Sequence, residues 1–290
     1  MTRTIKCTNE NNVSITLGEE FNQWLLTEAS GMFSFDNDVA VTDNTMTDGS
    51  TYLGTTTKKR NIVLTLRDKS DHKENRQSLY TIFKPKGIGT LIYTEGDEER
   101  TIDYYVESVN IDGANESAMA TISLICPDPF FKDLYDIDIQ MAGWQSEFEW
   151  IHEFIDGGEE FGTRIKSSLK EIDNDSAADY IGITATITVD GSVTNPSLLL
   201  VEQDQKLQIG TTANPMNLVV GDIITITTDT NKKNVYLTHN GVKTAINEYL
   251  SDDSQFMQLV HGSNTFKYDA DSGADNMNVT ISYRLHYVGV

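Results

Sequence analysis

The sequence predicts a mainly β protein with a minor helix. An N-terminal α+β domain is followed by a C-terminal β-sandwich of jelly-roll type. Three observations predict this. Alternating apolar and polar residues recur along the chain, as in NIVLTLRD (61–68) and MNVTISYRLHYVGV (277–290). Only the stretch after Asp71 carries convincing helical spacing. A proline-marked break, ICPDPFFKD (125–133), separates the part containing the helix from a part that is nearly all β. The limits that follow are 1–132 for the first domain, 133–180 for a connecting segment with the start of the second, and 181–290 for the sandwich.

VSITL (13–17) alternates as a strand does, and FNQWLLTEASG (21–31) reads as a short helix or turn. NIVLTLRD puts Ile62, Leu64 and Leu66 on one face and Val63 and Thr65 on the other. Asp71 and Glu74 have capping-box spacing, and Leu79, Ile82 and Phe83 follow at helical intervals until Pro85 and Gly87 end the helix. GTLIYTEGDEERTIDYYVESVNID (89–112) reads as two strands about the turn EGDEE, and SAMATISLIC as a further strand ending at Cys126. SEFEWIHEFIDGGEEFGT (146–163) has no Lys or Arg and reads as a connecting strand and loop. Beyond Ile181, His239-Asn240-Gly241 is a hairpin turn, because Asn-Gly accepts positive φ. Val279, Ile281, Tyr283, Leu285 and Tyr287 alternate to the end, with His286 on the polar side. Strands at this spacing fit a sandwich.

Composition narrows the function. The 290 residues hold 44 Asp+Glu against 22 Lys+Arg, a net charge of -22, and acids outnumber bases in both halves. A chain of this sign lacks the footprint of a nucleic-acid binder and is not attracted to anionic membranes. No partner of either kind is expected. The N-terminus has no apolar signal region and no run approaches a membrane span, so folding is expected in the cytosol of the producing cell. Cys7 and Cys126 have no metal-like spacing and read as buried free thiols.

The chemistry expected of an enzyme is missing. There is no P-loop, dinucleotide fingerprint, zinc-protease helix or nucleophile elbow. His72, His152, His239, His261 and His286 are scattered, without zinc-ligand spacing. DADSGAD (269–275) mimics a calcium loop, but Ala274 stands at the glycine position and Thr280 where the bidentate Glu belongs. No catalytic, metal or cofactor residue is assigned. A sugar site would need an aromatic platform, for which Tyr236, Tyr249 and Tyr268 are the candidates in the tryptophan-free C-terminal part.

TDGSTYLGTTTKKRNIVLTL (47–66) raises its own question. A polar, glycine-punctuated Ser/Thr arm leads straight into a core strand. It reads as an active-site loop, a disordered loop, or a tether reaching a neighbouring subunit.

Taken in order, several residues resemble a known family. They are Asp48-Gly49 and Gly54 ahead of the strand, Arg60, Pro85 with Gly89 and Leu91, and Pro127-Asp128-Pro129-Phe130. At the far end, Gly262, Asn264 and Phe266 precede VTISYRLHYVGV. The chain resembles the distal tail proteins of long, non-contractile-tailed bacteriophages (siphovirus tail components), least so over 133–180. The resemblance implies a ring-forming N-terminal domain that continues the tail tube and a galectin-like C-terminal domain projecting outward. It implies a structural, non-enzymatic part of the virion tail tip, a ring usually of six copies assembled in the host bacterial cytoplasm. Its partners would be the tail-tube protein, the tail-tip protein and receptor-binding or baseplate proteins. It casts Asp48, Gly49, Tyr52, Leu53, Gly54 and Arg60 as an inter-subunit arm, with Tyr52 and Leu53 as apolar anchors. Pro127, Asp128, Pro129 and Phe130 mark the domain junction. The competing reading is a carbohydrate-binding adhesion module contacting the host cell wall.

Overall fold

A computed structural model describes residues 3–18, 24–68, 72–112, 118–141, 143–146, 162–165, 169–230 and 232–290. The chain divides into two units. The first comprises Met1–Leu134 and His286–Val290, and the second Tyr135–Leu285.

The first unit is built from β1 (Arg3–Asn9), β2 (Ser14–Gly18), β3 (Trp24–Ser30), β4 (Asn37–Asp43), β5 (Ser50–Thr57), β6 (Arg60–Asp68), α1 (His72–Ile82), β7 (Ile88–Glu95), β8 (Glu98–Asp112), β9 (Met119–Cys126) and β10 (Phe131–Asp133). Antiparallel pairing gives the order β2-β1-β7-β8-β9-β6-β3. The two ends of that order, β2 and β3, approach each other, so the sheet curls towards closure around one core. The alternation read from the sequence is what buries the core: Ile62, Leu64 and Leu66 of β6 face inward with Ile122 and Leu124 of β9. Helix α1 adds Leu79 and Ile82, with Phe83 just beyond its end. Its expected cap, Asp71, lies outside the described residues. Cys7 and Cys126 are buried free thiols within this core.

Residues 24–30 are a strand, correcting the expected helix or turn. WLLTEA has residues that suit a helix, but tertiary pairing overrides that preference. β3 pairs along β6 with a bulge between Leu26 and Glu28, and the Trp24 indole N–H donates to the Asn75 carbonyl of α1 at 3.2 Å.

The second unit begins with β11 (Ile137–Gln140), β12 (Gly143–Ser146), β13 (Gly162–Ile165), β14 (Leu169–Asn174), β15 (Tyr180–Ile181), β16 (Thr184–Val189), β17 (Val193–Leu200), β18 (Gln205–Gln208) and β19 (Asn217–Leu218). It continues with β20 (Ile223–Thr227), β21 (Asn234–His239), β22 (Val242–Ala245), β23 (Leu259–Val260), β24 (Gly262–Ser272) and β25 (Met277–Tyr283). A six-stranded sheet, β11-β25-β16-β20-β21-β22, and a sheet of order β14-β24-β17-β18 with β19 on β17 supply the buried Ile187, Ile226, Ile281, Leu198 and Phe266. Asn240 (φ 50°) and Gly241 (φ 79°) form the two-residue turn between β21 and β22, the left-handed pair that Asn-Gly accommodates. Most of 146–163 lies outside the described residues.

The final strand differs from its pattern. β25 stops at Tyr283, and a separate strand, β26 (His286–Tyr287), pairs with β10 in the first unit. His286 is buried rather than on a solvent face, its ring stacked on Phe130 with centroids 5.9 Å apart.

Candidate functional site

The polar arm is the second strand of a β-hairpin. β4 and β5 form a two-stranded sheet of their own, and nearly every residue in it is exposed. Val39 faces Thr55 across the pair and Val41 faces Tyr52, while the Tyr52 hydroxyl donates to Thr55 Oγ1 at 2.9 Å. Val39, Val41, Tyr52 and Thr55 therefore share one face. Asp38 and Thr42 lie on the other, where Asp38 meets Lys58 Nζ at 3.7 Å. A bulge at Ala40/Val41 accommodates the extra residue Leu53. Tyr52 is 63% exposed and Leu53 65%, so most of each apolar side chain is uncovered among the described residues. At the tip, Asn44 N–H donates to the Gly49 carbonyl, Ser50 Oγ donates to Asp43, and Met46 stands 94% exposed. Asp48 and Gly49 belong to this tip and Gly54 to β5.

Arg60 does something else. It opens β6, is buried, and has no carboxylate partner among the described residues. Its guanidinium is spent on main-chain carbonyls. Nε donates to Pro129 at 2.7 Å, and Nη1 to Gly31 at 2.6 Å and Ser34 at 2.7 Å, with Met32 at 3.4 Å. Nη2 donates to Val288, and the group lies 5.0 Å from the centre of the Phe131 ring. Burial pushes its pKa down, although a guanidinium stays charged. Arg60 is thus a packing centre at the hairpin base rather than a reaching side chain.

The residues read as a junction gather around it. The Pro129 carbonyl accepts from Arg60, and Asp128 Oδ1 accepts the Phe130 N–H at 3.2 Å. Asp128 also pairs with Lys132 at 2.8 Å. Beside this cage lies an open pocket of about 110 Å³ whose lining includes Phe35, Asp36, Lys58, Lys59, Arg60 and Pro129.

Catalytic chemistry finds little support. Among the described residues no three metal-ligating side chains gather. His239 Nδ1 lies 2.6 Å from Asp222, a pairing that invites a catalytic reading, but Asn240 Nδ2 occupies the other ring nitrogen at 3.0 Å. Burial pushes the Cys7 thiol up and the Cys126 thiol up to about 12, so neither is a ready thiolate. The sugar candidates fare similarly. Tyr268 is buried, Tyr249 is half-buried, and Lys243 Nζ covers the Tyr236 ring at 4.3 Å.

The comparisons accord with this architecture. Residues 14–126 match the phage tail protein RIFT-related domain, and residues 179–287 match the siphovirus-type tail component, C-terminal domain. No curated protein sequence matches significantly. Among solved structures, the chain is similar to SPP1 Dit (gp 19.1), called a paradigm of the hub adsorption apparatus in Gram-positive-infecting phages. The TM-score is 0.69 at 12% identity, covering 98% of this chain and 99% of that one. It is also similar to a chain of the phage P2 baseplate in its activated conformation with Ca, with TM-score 0.58, 10% identity and full coverage of both chains. The P2 baseplate with Sr gives TM-score 0.56 at 10% identity, covering 99% of each chain. At these identities the likeness is one of fold. Fold and matched segments together define a structural component of a phage tail. The chain belongs to the siphovirus distal tail protein family.

Of the residues the sequence singles out, the hairpin unites Asp48, Gly49, Tyr52, Leu53 and Gly54, while Arg60 joins Pro129 in the cage. The sequence reading leaves β4 without an element, although Val39 and Val41 at strand spacing, flanked by Asp38 and Thr42, were the available signal.

Proposed function

We propose that the chain forms a hexameric ring at the tip of the phage tail. The first unit closes the ring and continues the tail tube, and the second presents a docking scaffold. The tail-tube protein stands on one side, the tail-tip protein on the other, and receptor-binding or baseplate proteins attach outside. Assembly takes place in the host bacterial cytoplasm. One observation carries this reading: the β4–β5 hairpin leaves Val39, Val41, Tyr52 and Leu53 each more than half exposed among the described residues. A lone two-stranded hairpin is marginal in water. Covering each large apolar side chain contributes about 1.5–3 kcal/mol. A neighbouring copy recovers that free energy, and the Ser/Thr-rich strand stays soluble until it does. The hairpin thus serves as the inter-subunit arm, with Tyr52 and Leu53 as anchors.

Light scattering with negative-stain imaging tests this on the purified protein, alone and mixed with its tail-tube and tail-tip neighbours. A closed ring of six with a central hole is expected. A protein that stays monomeric in every mixture overturns the reading.

A further inference from the structure

The hairpin tip and the pocket at its base are chemically opposite. The tip places Met46, 94% exposed, between Asp43 and Asp48, with no basic residue from 37 to 57. Among the described residues Asp48 has no side-chain partner, and the Asp43 carboxylate takes only the neutral Ser50 hydroxyl. The pocket lining is largely polar, with Lys58 and Lys59 in it, and includes two apolar residues, Phe35 and Pro129. Phe35 is 53% exposed, and Lys59 has no ion pair among the described residues. Among the described residues Lys58 has only the long, exposed side-chain contact to Asp38, and Asp36 is the sole carboxylate in the lining. The volume of about 110 Å³ is several times the 10–15 Å³ or so that one water needs. On a chain of net charge -22, an under-paired lysine pair beside a recess that holds Phe35 and Pro129 is a local exception. A hairpin cannot fold its tip back onto its own base, so the complement must come from another copy.

We propose that the hairpin tip of one copy seats in the hairpin-base pocket of the next, with Met46 against Phe35 and Pro129 and with Asp43 and Asp48 against Lys58 and Lys59. This rests on the ring reading and specifies its contact. Thioether-to-aromatic packing supplies the apolar part. The charge pairs set direction and register more than affinity. Donor and acceptor patches differ, so the contact is head-to-tail, the kind that closes into rings.

The test is a charge exchange followed by sedimentation velocity, with circular dichroism as a check on folding. All four charged positions are exposed, so the variants are expected to fold. Asp43→Lys/Asp48→Lys and Lys58→Glu/Lys59→Glu should each weaken self-association roughly tenfold or more. Mixed one to one, they should recover it: each reversed tip then meets a reversed base and each native tip a native base, giving an alternating ring of even number. Met46→Ala should weaken association without a change of charge. If the wild type assembles but the two charge variants assemble equally well, or their mixture fails to recover, this contact is wrong and the ring reading stands. If the wild type never associates in any mixture, the ring reading fails and takes this contact with it.

Discussion

The Arg60 guanidinium donates to the carbonyl of Val288, 228 positions further along the chain. The same side chain also holds Gly31, Ser34 and Pro129. One cation thereby ties the hairpin base, the proline-marked turn and the C-terminal strand into the first unit. A lysine has one ammonium in place of a planar fork and cannot serve these directions together.

Replacing Arg60 by Leu should therefore cost the fold about 3 kcal/mol, because several part-buried carbonyls lose their donor at once. Urea unfolding measures this. Removing Val288–Val290 should cost less, since only one of the five carbonyls leaves. The two changes should also be non-additive, because they share a contact. Additive losses would mean that the Arg60–Val288 bond contributes nothing.

Gly31 is the second requirement of that cage. Its φ is +79°, and a Cβ there would stand 2.0 Å from the Asn61 carbonyl oxygen. Gly31→Ala adds backbone strain and displaces main-chain atoms beside a carbonyl that Arg60 needs. A loss of about 2 kcal/mol or more is expected in the same unfolding experiment, while Gly49→Ala at the open hairpin tip, with φ +93° but no atom in the way, should cost less.

Local pattern and long-range tie explain what the sequence could reveal. Strand β9 was legible because alternate residues of MATISLIC meet opposite environments, and α1 because Leu79, Ile82 and Phe83 recur at helical spacing. The turn at Asn240-Gly241 was legible from two residues whose φ values are both positive. β3 was not, because pairing with β6 and the Trp24–Asn75 bond decide it. Nor was the exchange of partners between Tyr283 and His286. Alternation runs on unbroken there, and period alone does not say which sheet a residue joins. Arg60 was grouped with the arm by the family resemblance, and the polar residues before it gave no sign of its burial. Its carbonyl partners are 26 to 228 positions away, beyond any local pattern.

Alkaline pH should weaken the first unit. Burial and then a hydrogen bond to Glu95 push Tyr93 from 10.0 up to about 12, and burial pushes Cys126 from 9.0 up to about 12. Burial also pushes Cys7 and Tyr104 up. Each group keeps its proton longer folded than unfolded. At pH above the unfolded values the native state holds more protons, so stability falls as pH rises. The contribution is complete below pH 9.0 and drains away towards about 12. Thermal unfolding across that window should show a falling Tm, and Cys126→Ala should flatten part of the fall. A Tm independent of pH there would contradict the burial of these groups.

The hairpin makes the sharpest separation between folding and assembly. Val39, Val41 and Tyr52 share a face that stays more than half exposed, so changing all three to Thr removes only contacts within the hairpin, among them the Tyr52–Thr55 hydrogen bond. Thr keeps the strand preference and the backbone pairing. The urea midpoint of the dilute protein should move by no more than about 1 kcal/mol in stability, the scale of a lost cross-strand pair. Self-association should fall sharply, because an interface core draws its affinity from a few apolar anchors of this kind. Loss of stability without loss of association would reverse the assignment: the face would then pack within its own subunit, and the arm would have no claim on a neighbour. Loss of association with the fold intact would place the binding free energy on three side chains of one hairpin face.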